Sequence, residues 1–316
     1  MTKTRLLILV GKLALGLILL IALIEVTGSL QDARELLDLN WYQAWPVLGW
    51  TLLLNAIATW RWQILIRQFG LPHIPFPSLL KSVVVGRLVG NSTSQVIGDI
   101  SARSIYLKSH GVDLKQGGLT IIADKLFEVA FALAVSIVFF VSIITGQFAV
   151  CPGCFPLATL GVFAAATWSL PQLLKLFGHL PWIAQRITPL PDFLFDHTRW
   201  LLAGLTIIKY GVVVLRYDFI LRFCGITNLS LVSVFFGTAW AQVGLMLAFT
   251  PGGLGFVEAG WTGALIYFSV ANSAISKFLI AQRLLITLSV ILLAPLTMAF
   301  ETFAKFNLNK KERRTT

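Results

Sequence analysis

Residues 78–107 read SLLKSVVVGRLVGNSTSQVIGDISARSIYL. Both ends of this stretch are apolar enough to enter a membrane, but its middle is broken by Gly86, Gly90, Asn91, Ser92, Thr93, Ser94, Gln95 and Gly98. An intact lipid-facing helix does not carry such a run, because irregular backbone at membrane depth must be buried in protein or line a wet cavity. Lys81 stands before the break, and Arg103, Lys108 and Lys115 stand after it. Basic residues at both ends put both on the cytoplasmic side. The stretch therefore predicts a re-entrant helical hairpin, and with it an all-α, polytopic membrane bundle.

Composition agrees. The chain has 316 residues, 57% of them hydrophobic and only 12% charged, with a mean hydropathy of +0.81. Soluble domains carry about 25% charged residues, so half that number leaves too little polar side chain to coat a water-facing surface. The net charge of +11 is not read as a nucleic-acid signal. The basic residues, from Lys3 and Arg5 through Arg61, Arg67, Lys175, Arg186 and Arg199 to Lys310, Lys311, Arg313 and Arg314, flank hydrophobic segments. That distribution predicts a bacterial inner-membrane protein with both termini in the cytoplasm.

Working outward from the hairpin, six full spans are expected: Leu6–Thr27, Pro46–Ile66, Leu119–Thr145, Phe155–Lys175, Trp200–Arg222 and Phe278–Phe300, each near the roughly 20 residues that cross a bilayer. The first follows a short basic stretch, but no small-residue cleavage site follows it, so it reads as a retained span. Between the first two spans, Ser29 to Trp41 has one apolar and one acidic face, as for a short helix at the outer surface. A second broken region, Leu231 to Val270, has apolar flanks around TPGGLGFVE (250–258). The organisation is then a single transmembrane domain over 1–304, with halves at about 46–145 and 200–304, followed by a basic tail over 305–316.

A weak repeat links the halves. Residues 112–126 can be laid on 270–284, so that Ile122 and Ala123 meet Ile280 and Ala281, and Lys125 meets Arg283; upstream, Asp99 falls within one residue of Glu258. With three full spans between the halves, the second hairpin enters from the opposite side. Inverted repeats with broken helices meeting near the midplane are a transporter signature.

Ionisable groups at membrane depth cost roughly 2.5–3.5 kcal/mol each on insertion scales and are functional candidates for that reason. The set is Arg87, Asp99 and Arg103 in the first hairpin, Asp124, Lys125 and Glu128 opening the next span, and Glu258 and Arg283 in the second half. Asp99 and Arg103 are four apart, as are Asp124 and Glu128, so each pair shares a helix face. One reading is a polar path for a charged headgroup, with arginines gripping phosphate oxygens. The other is a set of ion pairs tying the hairpins to neighbouring spans. Gly252, Gly253 and Gly255 admit two readings as well: free backbone N–H groups that bind an anion, or a tight turn capped by Glu258. Arg216 and Arg222 are expected to snorkel to the outer interface.

Other chemistry finds little support. Cys151 and Cys154 flank Pro-Gly in a short outer loop, where a stapling disulfide is the simpler reading than a redox pair. His73, His110, His179 and His197 are scattered, so no metal site and no cofactor are expected. No nucleophile-elbow, zinc-protease or P-loop pattern is present.

IGDISAR (97–103), ADKL (123–126), TPGGLGFVE (250–258) and AQRL (281–284) resemble the lysylphosphatidylglycerol synthase transmembrane region, a flippase-like family of integral membrane proteins. The PGGLG-x-x-E stretch is the most specific piece, and the motifs fall in order over nearly the whole chain. The family usually carries Gly-Gly-Asp-x-x-Arg and a Glu-Arg or Asp-Arg pair; here the first Gly is Ile97, the Asp–Arg spacing is one longer, and the Arg of the pair is Lys125. The resemblance implies a domain that moves lipids between leaflets. Bifunctional relatives add a C-terminal aminoacyl transferase; this chain stops after its basic tail, so aminoacyl transfer is not expected. The first expectation is a flippase for a phospholipid, aminoacyl-phospholipid or other lipid-linked substrate, with no nucleic-acid partner. A membrane-embedded headgroup or glycosyl transferase, and a non-catalytic partner of a separate lipid-modifying enzyme, are the rivals. Homo-oligomerisation stays open.

Overall fold

A computed structural model describes residues 41–145, 154–177, 196–247 and 250–315, which are helical with no strand among them. After a 3-10 turn at Trp41–Ala44 come α1 (Pro46–Gln68), α2 (Phe76–Ser92), α3 (Gln95–Lys108), α4 (Leu114–Ile144), α5 (Cys154–Phe177), α6 (Thr198–Phe223), α7 (Leu231–Leu247), α8 (Phe256–Tyr267) and α9 (Asn272–Thr315). The expected span at Leu6–Thr27, the surface helix up to Asn40 and Cys151 lie outside the described residues.

By length and composition, α4, α6 and residues Asn272–Ala304 of α9 can cross a membrane. Their outer faces expose Leu133, Ile137 and Phe140 on α4, and Leu288, Ile291 and Leu292 on α9, surface that lipid covers at no cost. α9 runs on through Pro295 to Thr315, so the stretch read as a tail continues the last helix. The helices of the two broken regions are shorter. α2 and α7 have 17 residues each, α3 has 14 and α8 has 12, which at 1.5 Å per residue gives about 26, 21 and 18 Å. None reaches the roughly 30 Å of a hydrocarbon core.

Each broken region is a helical hairpin closed through glycine. A Cβ on Gly98 of α3 would come 2.6 Å from the Gly90 Cα of α2, and one on Gly260 of α8 would come 2.6 Å from the Trp240 carbonyl oxygen of α7. Nothing larger fits at those crossings.

The packing repeats. α1 to α4 and α6 to α9 are equivalent quartets of helix, hairpin, helix, and interchanging them maps the contacts onto one another: α2 lies on α9 as α7 lies on α4, α1 on α9 as α6 on α4, and α3 on α4 as α8 on α9. Gln68 at the end of α1 donates to Thr198 at the start of α6 at 3.1 Å, so the paired first helices run antiparallel and the quartets are mutually inverted. The helix ends match in detail. Leu71 N donates to Ile66 O and Gly70 N to Arg67 O, and 155 residues later Ile226 N donates to Leu221 O and Gly225 N to Arg222 O. Both are Schellman ends with glycine at positive φ, +64° and +85°. The repeat is stronger than the sequence comparison of 112–126 with 270–284 suggested.

Candidate functional site

The turns of the two hairpins meet. Ser94 and Pro251 form an isolated antiparallel bridge, and Gly252 N donates to both Gly90 O and Thr93 O, at 3.2 and 3.0 Å. Gly252 has φ +59° and presents its carbonyl oxygen to Arg283 Nη1 at 2.9 Å. The remaining donors of this turn are also used. Gly253 N donates to Thr250 O, Leu254 N to Pro251 O, and Gly255 N to Glu258 Oε2 at 2.8 Å. Of the two readings of Gly252, Gly253 and Gly255, the geometry is that of the tight turn capped by Glu258; their N–H groups are engaged within the protein.

Glu258, fully buried, is held by Arg283 from α9, with Nη2 at 2.6 Å and Nε at 2.9 Å. Its counterpart in the first half is Asp99, which Lys125 on α4 approaches at 3.3 Å and Arg103 at 3.2 Å. The alignment of Lys125 with Arg283, and of Asp99 with Glu258, is realised as the same ion pair in both halves. Arg103 also lies 3.6 Å from Asp124 and stacks over the Trp62 ring at 4.1 Å.

Three cations that the sequence reading left aside belong to the same cluster. Arg61, taken for a cytoplasmic flank, is wholly buried, 2.9 Å from Asp124 and 3.1 Å from Glu128. Lys209 on α6 bonds to Glu128. Arg216, expected to snorkel outward, is 6% exposed and packs beside the Tyr217 ring at 5.3 Å; Arg222 does lie half exposed, paired with Asp218. The signal was available in a gapless match of residues 59–71, TWRWQILIRQFGL, to residues 214–226, VLRYDFILRFCGI. It puts Arg216 at the place of Arg61 and Tyr217 at that of Trp62.

These residues surround a cavity of about 280 Å³ between the hairpins and the long helices, near the lower end of the ~300–1,000 Å³ of small-molecule sites. Arg87, Lys125, Lys209, Arg216 and Arg283 line it against two carboxylates, Asp99 and Glu128, with Asn91, Gln95, Gln242 and Gln282 supplying amides. Arg61, Arg103, Asp124 and Glu258 stand behind this lining through their ion pairs. Of the sequence candidates, Arg87, Asp99, Lys125, Glu128, Gly252 and Arg283 reach the wall, whereas Arg103, Asp124, Gly253, Gly255 and Glu258 do not. Among the described residues no group of His, Cys, Asp and Glu is arranged to hold a metal.

Comparison with curated proteins gives no match. The profile described as the lysylphosphatidylglycerol synthase TM region matches residues 8–294, a range that takes in both hairpins and every ion pair of the cavity. The chain is a multi-pass integral membrane protein of a family related to lipid modification or transport, and it belongs to the lysylphosphatidylglycerol synthase transmembrane-region family.

Proposed function

We propose that the protein is a lipid flippase of the bacterial inner membrane, with cytoplasmic termini, which moves a phospholipid or lipid-linked substrate between leaflets without altering it covalently. The observation that carries this reading is the charged cavity at the meeting point of two inverted hairpins, each too short to span. Hairpins that return to the side they came from leave a polar gap near the midplane, which is where a translocated headgroup needs shelter from hydrocarbon. The gap is costly to keep, since each buried charge costs roughly 2.5–3.5 kcal/mol on insertion scales. Five cations and two carboxylates on one wall exceed what pinning the hairpins requires, because Glu258 with Arg283 and Asp99 with Lys125 already do that. The acyl chains stay in lipid against the apolar outer faces of α4 and α9 while the headgroup passes inside.

The test is reconstitution of the full chain into liposomes holding a fluorescent phospholipid, followed by a membrane-impermeant quencher. Wild type makes inner-leaflet label accessible faster than protein-free vesicles do. Asp99→Asn with Lys125→Gln, which removes the pair together and leaves no lone charge, slows this at least tenfold. Undiminished translocation in that double variant sinks the role given to the cavity, and a wild-type rate equal to that of empty vesicles sinks the flippase reading.

A further inference from the structure

Among the described residues, two cations of the cavity have no carboxylate of their own. Seven cations and four carboxylates of those residues make up the cavity wall and the ion pairs behind it, a surplus of three positive charges. Five of the cations are in ion pairs: Arg61 and Arg103 with Asp124, Lys125 with Asp99, Lys209 with Glu128, and Arg283 with Glu258. Arg87 and Arg216 are in none among the described residues, although both line the cavity.

The internal repeat shows where the missing partners would stand. Arg216 occupies the position of Arg61, 155 residues on. Arg61 is neutralised by Asp124 and Glu128. The second half carries Gln282 and Ile286 at the matching places, 158 residues on, and both line the cavity. The arginine was kept while both carboxylates became uncharged. Arg87 is the complementary case: its counterpart on α7, 155 residues on, is Gln242, which also faces the cavity. Each half thus departs from the repeat in the direction that leaves a guanidinium free, and the two guanidinium groups come from different halves. A buried cation without a counter-charge is costly, and a guanidinium in that state is suited to a bidentate grip on phosphate.

The carboxylates point the same way. Glu128 accepts from Arg61, Lys125 and Lys209, and Asp99 pairs through Oδ2 with Arg103 and Lys125, so the charge of each is already matched by at least two cations of the protein. We infer that Arg87 and Arg216 form a phosphate clamp, and that the cavity takes a net-anionic phosphodiester headgroup with a neutral, hydroxyl-bearing remainder rather than one carrying an amine. Asn91, Gln95 and Gln242 supply the amides that hydroxyl groups bond. This specifies the substrate class of the flippase reading above and rests on it.

The full chain in mild detergent is titrated with phosphatidylglycerol, phosphatidylethanolamine, lysylphosphatidylglycerol and diacylglycerol of equal chain length, with bound lipid read by native mass spectrometry. The clamp predicts that phosphatidylglycerol binds at least tenfold tighter than the other three. Arg87→Gln with Arg216→Gln removes that preference. Ile286→Glu, which takes away no cation and gives Arg216 the partner that Glu128 gives Arg61, weakens phosphatidylglycerol in the same direction while an unchanged melting temperature reports an intact fold. Equal or tighter binding of the lysyl lipid, or a preference that survives both variants, overturns the inference while leaving lipid handling in place. Displacement of the lipid by equimolar glycerophosphoglycerol would assign the clamp to a soluble anion and overturn it too. If none of the four lipids binds, the flippase reading falls with it.

Discussion

Arg283 holds Glu258 across the junction of α8 and α9, its Nη2 2.6 Å from the carboxylate, and the same arginine bonds the carbonyl oxygen of Gly252. One side chain therefore ties the last long helix to both the turn and the following helix of the second hairpin, and through Gly252 to the first hairpin's backbone. Lys125 repeats only part of this, reaching Asp99 at 3.3 Å. The second half thus gathers on one side chain what the first divides between Lys125 and Arg103.

Arg283→Met should destabilise the protein by about 3–5 kcal/mol, because it strands a fully buried carboxylate. Adding Glu258→Gln should recover part of that loss. A double-mutant cycle by thermal or denaturant unfolding in detergent checks it; additive effects would mean that the pair is not coupled.

Gly252→Ala should cost about 1–3 kcal/mol. Its φ of +59° disfavours a side chain, and a Cβ there would lie 3.2 Å from Arg283 Nη1 and 3.4 Å from the Asn91 backbone. Gly49→Ala is the control, since nothing lies within 4 Å of that site on α1, and alanine there should be neutral or stabilising by up to about 1 kcal/mol. Comparing the two melting temperatures separates a required glycine from an incidental one.

The meeting of the turns can be trapped. Ser94 and Pro251 pair as bridge partners, so Ser94→Cys with Pro251→Cys should crosslink rapidly under mild oxidation, as backbone neighbours at such a bridge stand within disulfide reach. Proteolysis between the halves followed by non-reducing electrophoresis reads the link. Absence of crosslinking, with each single variant folded, would contradict the contact.

Arg61→Gln should cost about as much as Arg283→Met, roughly 3–5 kcal/mol, since it leaves Asp124 buried and only Arg103 nearby, at 3.6 Å. Arg61→Lys should rescue only part, because an ammonium cannot serve Asp124 and Glu128 in the fork geometry of a guanidinium. Unfolding midpoints of the two variants decide this.

Much of the architecture was legible from hydrophobic runs and their interruptions. Pro46–Gln68, both hairpins and the long helices lie close to where apolar length and glycine clusters put them, because those features are local. The ion pairs Asp99–Arg103 and Arg61–Asp124 differ in that respect: the first follows from i,i+4 spacing, while the second joins residues 63 positions apart and needs the tertiary fold. Arg61 and Arg216 were misjudged for one reason. A basic residue near the end of an apolar run reads as a flank; the match of 59–71 to 214–226 pairs the two arginines, and the packing of α1 against α6 and α4 shows that they point inward. The turn glycines were undecidable from sequence, because a free and a capped N-terminus share the same residues until Glu258 is seen to fold back onto Gly255.

The headgroup path through the cavity is tested by the rate at which labelled phosphatidylglycerol crosses proteoliposome membranes, for wild type and for Arg87→Gln with Arg216→Gln. A phosphate clamp in a flippase gives a wild-type rate at least tenfold above protein-free vesicles and a double variant close to them, with both proteins equally well folded. A double variant as fast as wild type, or a wild type no faster than bare lipid, would contradict it.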